Sequence, residues 1–261
     1  MQMLSDPIFM GALASLVAGA ATGVGAIPVL LGGTFSRRTL DIMLGFAAGV
    51  MLAASAFSLL VPAFEFVLDW VGVLTVVGFG FGLGGIFVHV ADRYIPHEHF
   101  QKGHEGPSSS LGRVWLLVLA ITIHNFPEGL AVGVSFGTDN IATGLSVAIA
   151  IGLQNMPEGL AVAAPMVREG YSRKYAAGLA LLTGLVEPIG GLLGVSVVTI
   201  ATALLPYGLA FAAGAMVFVV GDEMVPESHT EGHARDATWG IMFGFLVMMT
   251  LDNVFAFIFA G

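Results

Sequence analysis

The sequence predicts an all-α integral membrane protein of eight transmembrane helices with both termini outside. Three observations predict it: the composition, the number of long apolar stretches, and the placement of every basic residue. Of 261 residues, 56% are hydrophobic and only 10% charged, where soluble domains run near 45–50% and about 25%. So few charges cannot cover a soluble surface, which assigns the chain to a bilayer. Cysteine is absent, which excludes disulfide frameworks and thiolate metal sites. The net charge of −9 argues against a nucleic-acid partner, which asks for basic patches. No Lys or Arg precedes Arg37, so the basic n-region of a cleavable signal peptide is missing.

A spanning helix needs roughly 20 mostly apolar residues. Stretches of that kind fall near 8–32, 41–63, 70–91, 114–135, 141–166, 175–200, 206–225 and 238–260. Turn-forming segments separate them, among them "GGTFSRR", "GTDN", "REGYSRK" and "PYG".

The nine basic residues then divide cleanly. Arg37 and Arg38 lie in connector 1, Arg93, Lys102 and Arg113 in connector 3, Arg168, Arg173 and Lys174 in connector 5, and Arg235 in connector 7. The even connectors and both ends carry none. The positive-inside rule produces that split when the span count is right, and it places the odd connectors in the cytoplasm. Asp6, Glu65, Asp69, Asp139 and Asp252 fall on or near the opposite face. They are either the acids left where bases are excluded or a mouth that concentrates cations by its field.

Within the apolar run of span 4, "HNFPEGLAVG" occupies residues 124–133, and "QNMPEGLAVA" repeats it in span 5 at residues 154–163. His124 with Glu128, and Gln154 with Glu158, are i, i+4 pairs on one helical face. Asn125 and Asn155 sit at the edge of that face. One short connector separates spans 4 and 5, so they run antiparallel and bring the two copies to a common depth. Inverted repeats whose interrupted helices meet at the midplane are a transporter pattern. Pro127 and Pro157 each remove a backbone hydrogen bond and displace the carbonyls at Ile123 and Leu153.

The carboxylates carry the stronger signal. A charged acid at a helix centre costs about 2.5–3.5 kcal/mol on insertion scales, and Glu187 in "LVEPIGG" adds a third to Glu128 and Glu158. No Lys or Arg lies inside the assigned spans to pair with them. Protonation relieves the cost, and so does a bound cation. An imidazole, amide oxygens and carboxylates form an N/O ligand set suited to zinc, manganese, iron, cobalt or cadmium, rather than to sodium or potassium.

Other residues carry weaker signals. Met51 offers a soft thioether or simply packs. Asp222 and Glu223, at the inner end of span 7, either hand a cation on or form an interfacial acid pair. His97, His99 and His104 in connector 3, with His229 and His233 in connector 7, share the inner side. A short His tract can bind metal, and it can equally be a solvated loop.

The paired motif resembles the signature of the ZIP family (Zrt-, Irt-like proteins) of divalent-metal transporters, in its bacterial type. The likeness covers essentially the whole chain, residues 1–261, as a single transport domain: eight spans, outside termini, a His-bearing third connector, and H-N-x-P-E-G followed by x-N-x-P-E-G. It implies transport of zinc, or of cadmium, iron or manganese, toward the cytoplasm, an inverted-repeat arrangement with the metal site between helices 4, 5 and 6, a homodimer, and a bacterial inner (plasma) membrane. By the resemblance, His124, Glu128 and Glu158 are ligands of the main site with Met51 and Gln154 close by. Asn125, Asn155 and Glu187 line a second, adjacent site. Glu65 and Asp252 correspond to the outer entrance, and Asp222, Glu223 and His233 to the inner exit. Asn155 departs from members that carry aspartate there, and an amide is the weaker ligand. Asp222 stands where some members carry histidine.

The competing reading is an intramembrane metal-dependent hydrolase that activates a zinc-bound water with His124 and the glutamates. The H-E-x-x-H pattern such an enzyme would use is absent from every span. A proton-coupled or light-driven carrier would need a basic residue or a chromophore lysine within a span, and neither is present.

Overall fold

The computed structural model of the chain describes residues 6–67, 69–99, 103–105, 112–138, 141–229 and 232–259; Lys102 and Asp139 lie outside them. Eight helical spans cross it: Pro7–Leu30, Arg37–Glu65, Trp70–Tyr94, Val114–Ser135, Ile141–Arg168, Arg173–Ile200, Thr202–Ser228 and Ala234–Phe255. The expected set is all there, with span 2 starting four residues earlier, at Arg37. In connector 3, strands β1 (His97–His99) and β2 (Gly103–Glu105) form a small antiparallel ribbon, an addition to the all-α expectation.

The proline reading needs correction. Pro127 and Pro157 sit inside uninterrupted helices, Arg113–Ser135 and Ile141–Arg168. The interrupted segments are span 1, which turns at Ala26 before Pro28, and span 6, which turns at Leu185–Val186 before Pro188. There proline stands in the first turn of the resuming helix, where its missing N–H costs nothing. π-Helical stretches interrupt spans 2, 3 and 7 at Ala54–Leu60, Val73–Gly78 and Val220–Met224, a local form frequent at functional sites.

The packing is built twice. Span 1 lies against span 5 and span 6 against span 4, while span 2 lies against span 8 and span 7 against span 3. Exchanging spans 1 with 6, 2 with 7, 3 with 8 and 4 with 5 turns each pair into the other. The close approaches repeat at constant spacing. Gly159 meets the backbone of Thr22 as Gly129 meets that of Glu187, and Gly25 meets Met156 as Gly190 meets Phe126. Gly19 and Gly184, which are equivalent, meet each other on the pseudo-two-fold axis. Spans 1 and 6 enter from opposite faces, so the repeat is inverted. A Cβ at Gly129 or Gly159 would strike a carbonyl of the crossing helix, which accounts for the last letter of each P-E-G triplet.

Spans 1, 4, 5 and 6 form one bundle and spans 2, 3, 7 and 8 the other, meeting chiefly through spans 2, 4, 5 and 7, with span 8 also against span 5. The lipid-facing sides are apolar, as at Leu74, Phe79 and Ile86 of span 3 and Trp239, Phe243 and Leu246 of span 8. Trp115, Tyr171 and Tyr175 pack together at the inner ends of spans 4 to 6, where an interfacial aromatic belt belongs.

Candidate metal site between the two bundles

Antiparallel crossing of spans 4 and 5 sets the two P-E-G copies side by side, and the restart of span 6 at Glu187 brings in the third acid. The side-chain amide of Gln154 donates to Glu128 Oε1 at 2.7 Å, joining the two copies. Asn155 donates to Glu187 Oε1 at 2.6 Å and to the carbonyl of Ala18 on span 1 at 2.7 Å. The charges of Glu158 and Glu187 both act on Glu128, and that of Glu158 acts on Glu187. All three acids are buried, Glu187 completely.

These donors satisfy only part of the cluster. Asn125 Oδ1, Glu128 Oε2, Gln154 Oε1, Asn155 Oδ1, Glu158 Oε2 and Glu187 Oε2 are buried and meet no hydrogen-bond donor among the described residues. Buried polar atoms are ordinarily paired, and in a bilayer core an unmet acceptor is costly. Six such oxygens against one unmet amide donor, Asn125 Nδ2, are a surplus of acceptors, which a cation relieves and a further acceptor would worsen. Among the described residues, no three His, Asp or Glu side chains are gathered tightly enough to enclose an ion as they stand. A metal bound there would have to exchange the amide contacts for its own.

A cavity of about 70 Å³ runs from Glu128, Glu158 and His124 past Glu223 to Arg37, Asp41 and Glu227. A single water needs about 10–15 Å³ of such space, so the passage holds several. Spans 4 and 5 line one side, and spans 2 and 7 the other. Its far end lies where the Lys- and Arg-bearing connectors begin, the cytoplasmic face by the positive-inside rule.

Not every residue anticipated from sequence gathers here. His124 lines the same cavity as Glu128 and Glu158, but its direct partner is Glu223, with Nε2 2.6 Å from the carboxylate. Met51 is buried in the main apolar core and does not line that cavity. Near the outer face, Asp252 accepts from Ser58 Oγ at 2.7 Å and Ser146 Oγ at 2.9 Å, tying spans 2, 5 and 8, whereas Glu65 is exposed at the end of span 2. On the inner side, Asp222 is half-buried in the π-helical turn beside Glu223. The His229 ring bonds the Val225 carbonyl and Thr238, a local contact away from the cavity lining. His233 Nδ1 lies 3.0 Å from Asp41 and so reaches the cavity mouth through it. The backbones of His97, His99 and His104 belong to the connector ribbon; their side chains lie outside the described atoms.

Four charged residues escaped the sequence reading. Asp41 is 2% and Asp92 6% exposed, and the charge of Asp92 acts on His124. Arg37 and Glu227 close the cavity mouth. The signal available was Asp41 and Arg37 at the head of an apolar run; counting Arg37 only as a loop cation hid it.

Eight apolar helices around a buried surplus of acceptor oxygens, joined to one face by a continuous cavity, define a multi-pass membrane transporter of cations. Residues 96–252 match the ZIP zinc transporter family model. The chain is 49% identical over 250 residues to zinc transporter GufA of Myxococcus xanthus, covering 93% of this chain and 97% of that one. It is 46% identical to zinc transporter ZIPB of Bordetella bronchiseptica, covering 90% and 77%, and 36% identical to human zinc transporter ZIP11, covering 94% and 97%. The chain belongs to the ZIP zinc transporter family, a family of transporters and not of enzymes. The hydrolase alternative is set aside.

Proposed function

We propose that the whole chain, residues 1–261, works as one transport unit that carries zinc into the cytoplasm through the cluster between spans 4, 5 and 6, and that cadmium, iron or manganese can take the same route. The observation that carries this reading is the set of buried oxygens without donors on Glu128, Glu158, Glu187 and their amide neighbours. The names of these relatives, at 36–49% identity, all specify zinc.

In the proposed sequence, a dication collected near Glu65 and Asp252 reaches Glu128 and Glu158 and displaces the amide of Gln154. His124 supplies an imidazole once it leaves Glu223. Asn125, Asn155 and Glu187 accept a second ion, or the same ion in passage. Release follows the cavity past Glu223, with Asp222 and His233 along the way and the connector histidines at the far side. Mixed oxygen and nitrogen ligands without thiolate hold zinc firmly enough to strip water and loosely enough to release it.

The test is zinc uptake into proteoliposomes by wild type, Glu128→Ala and Glu158→Ala. Each variant is expected to lose at least roughly tenfold in flux, the scale on which lost metal-site contacts reduce affinity. Equal flux in all three would overturn the site. A homodimer in a bacterial inner membrane completes the proposal, supported by the family resemblance. A monomeric mass in nanodiscs would remove the dimer.

A further inference from the structure

The cytoplasmic mouth of the cavity carries a cation of its own. Arg37 opens span 2, and its Nε lies 3.3 Å from Asp41 Oδ1 while Nη2 lies 3.4 Å from Glu227 Oε1 on span 7. The second oxygen of Asp41 faces His233 Nδ1 at 3.0 Å. The guanidinium is largely covered, its side chain 18% exposed, and Asp41 is almost fully buried at 2%. Arg37, Asp41 and Glu227 all line the passage that reaches Glu128 and Glu158.

The inverted repeat shows that this arrangement is an addition. At the constant spacing that relates the first part of span 2 to that of span 7, Arg37 and Asp41 correspond to Thr202 and Pro206. The outer face therefore has no charged counterpart of that pair. A structural tie required by the fold itself would have been needed in both halves.

A positive group on an ion's way out looks like an obstacle, and electrostatics decides otherwise. Without Arg37, two carboxylates of spans 2 and 7 would face each other across a narrow, partly dehydrated mouth, with an imidazole beside them. That is a zinc ligand set, and unit charges at low effective dielectric attract far more strongly than in water. A departing dication would be held there. Arginine cannot give up its proton, so its charge stays in place whatever occupies the passage.

We infer that Arg37 is a positioning residue for release: by occupying Asp41 and Glu227 with a permanent tethered cation, it keeps the cytoplasmic mouth from becoming a second, retaining metal site. The inference rests on the proposed route of the ion, so its test has a readout independent of flux. Zinc and cadmium stoichiometry is measured on the purified full chain in nanodiscs, together with zinc uptake in proteoliposomes. Arg37→Gln is expected to bind about one further ion per chain, through the uncovered carboxylates, and to transport roughly tenfold more slowly with no rise in KM. Arg37→Lys, which keeps the charge, is expected to restore the wild-type count. Arg37→Gln combined with Asp41→Asn and Glu227→Gln is expected to abolish the extra ion and recover most of the rate.

An unchanged metal count in Arg37→Gln would overturn the inference. So would a triple variant that stays slow without binding an extra ion, since Arg37 would then serve only to hold the helices. Failure of the main-site proposal shows separately, as undiminished flux in Glu128→Ala.

Discussion

Asn155 donates its side-chain amide to Glu187 at 2.6 Å, whereas Asn125 and Thr22, the equivalent pair in the inverted half, make no such bond and leave their side-chain polar atoms without partners among the described residues. The two halves share a backbone plan and differ in chemistry. Where one crossing helix presents a carboxylate, the other presents a hydroxyl. An ion bound at the pseudo-two-fold axis would therefore meet an uneven ligand field, with negative charge weighted toward spans 5 and 6.

Replacing that donor with an acid tests the proposed second site. In Asn155→Asp a carboxylate would face Glu187 at hydrogen-bonding distance, and two like charges there need a shared proton or a cation. The variant is expected to bind about one more zinc per chain than wild type and to gain more thermal stability from zinc. Stoichiometry by elemental analysis and melting with and without metal check it. A count equal to wild type would mean that position 155 does not decide whether a second ion binds.

The glycines that close the P-E-G triplets predict a stability effect. Gly129→Ala and Gly159→Ala would press a methyl group against the backbone at Glu187 and Thr22, at a cost of roughly 1–3 kcal/mol or more. Gly82→Ala and Gly178→Ala, where nothing lies within 4 Å of the added carbon, are expected to stay within about 0.5 kcal/mol of wild type. Unfolding in detergent separates the pairs, and equal losses at all four positions would refute close approach as the reason for glycine.

The contact between His124 and Glu223 joins the central site to the passage. Glu223→Gln removes the anion that draws the imidazole toward the cytoplasm, leaving it free to face Glu128 and Glu158. Zinc affinity is expected to rise several-fold while turnover falls. Equilibrium binding and uptake, measured together, check this split. A parallel fall in both would show that Glu223 supports the binding geometry itself.

Acidification supplies a fourth test. Zinc binds carboxylate and neutral imidazole, so each protonated ligand must lose its proton first, and the apparent Kd rises as pH falls. The expected slope is roughly tenfold per pH unit for each proton displaced, and it should be shallower in Glu158→Gln. Cadmium binding in nanodiscs between about pH 8 and 5.5 measures it, a range that brackets the ordinary histidine pKa. Binding insensitive to pH would exclude titrating ligands.

Much of this architecture was legible beforehand because a bilayer imposes one-dimensional rules. Span length follows from the thickness of the hydrocarbon, and loop charge follows from orientation. The doubled P-E-G motif was equally plain, since an acid such as Glu128 stands out in an apolar run. The roles of its neighbours were less plain. Pro127 reads as a helix break and is accommodated in a continuous helix, whereas the real interruptions lie at Ala26 and at Leu185–Val186. Met51, left open in the sequence between a thioether ligand and simple packing, lies in the apolar core.

By itself, the sequence determined the membrane class, the eight crossings, their orientation and the three mid-membrane acids, because transfer into lipid penalises each charged residue wherever it stands along the chain. Tertiary structure alone decided which donors those acids keep, that His124 turns to Glu223, and that Arg37 sits between Asp41 and Glu227 at the mouth. Those outcomes depend on distances between residues as far apart in the chain as Arg37 and Glu227, and helix packing sets such distances where periodicity along one helix does not.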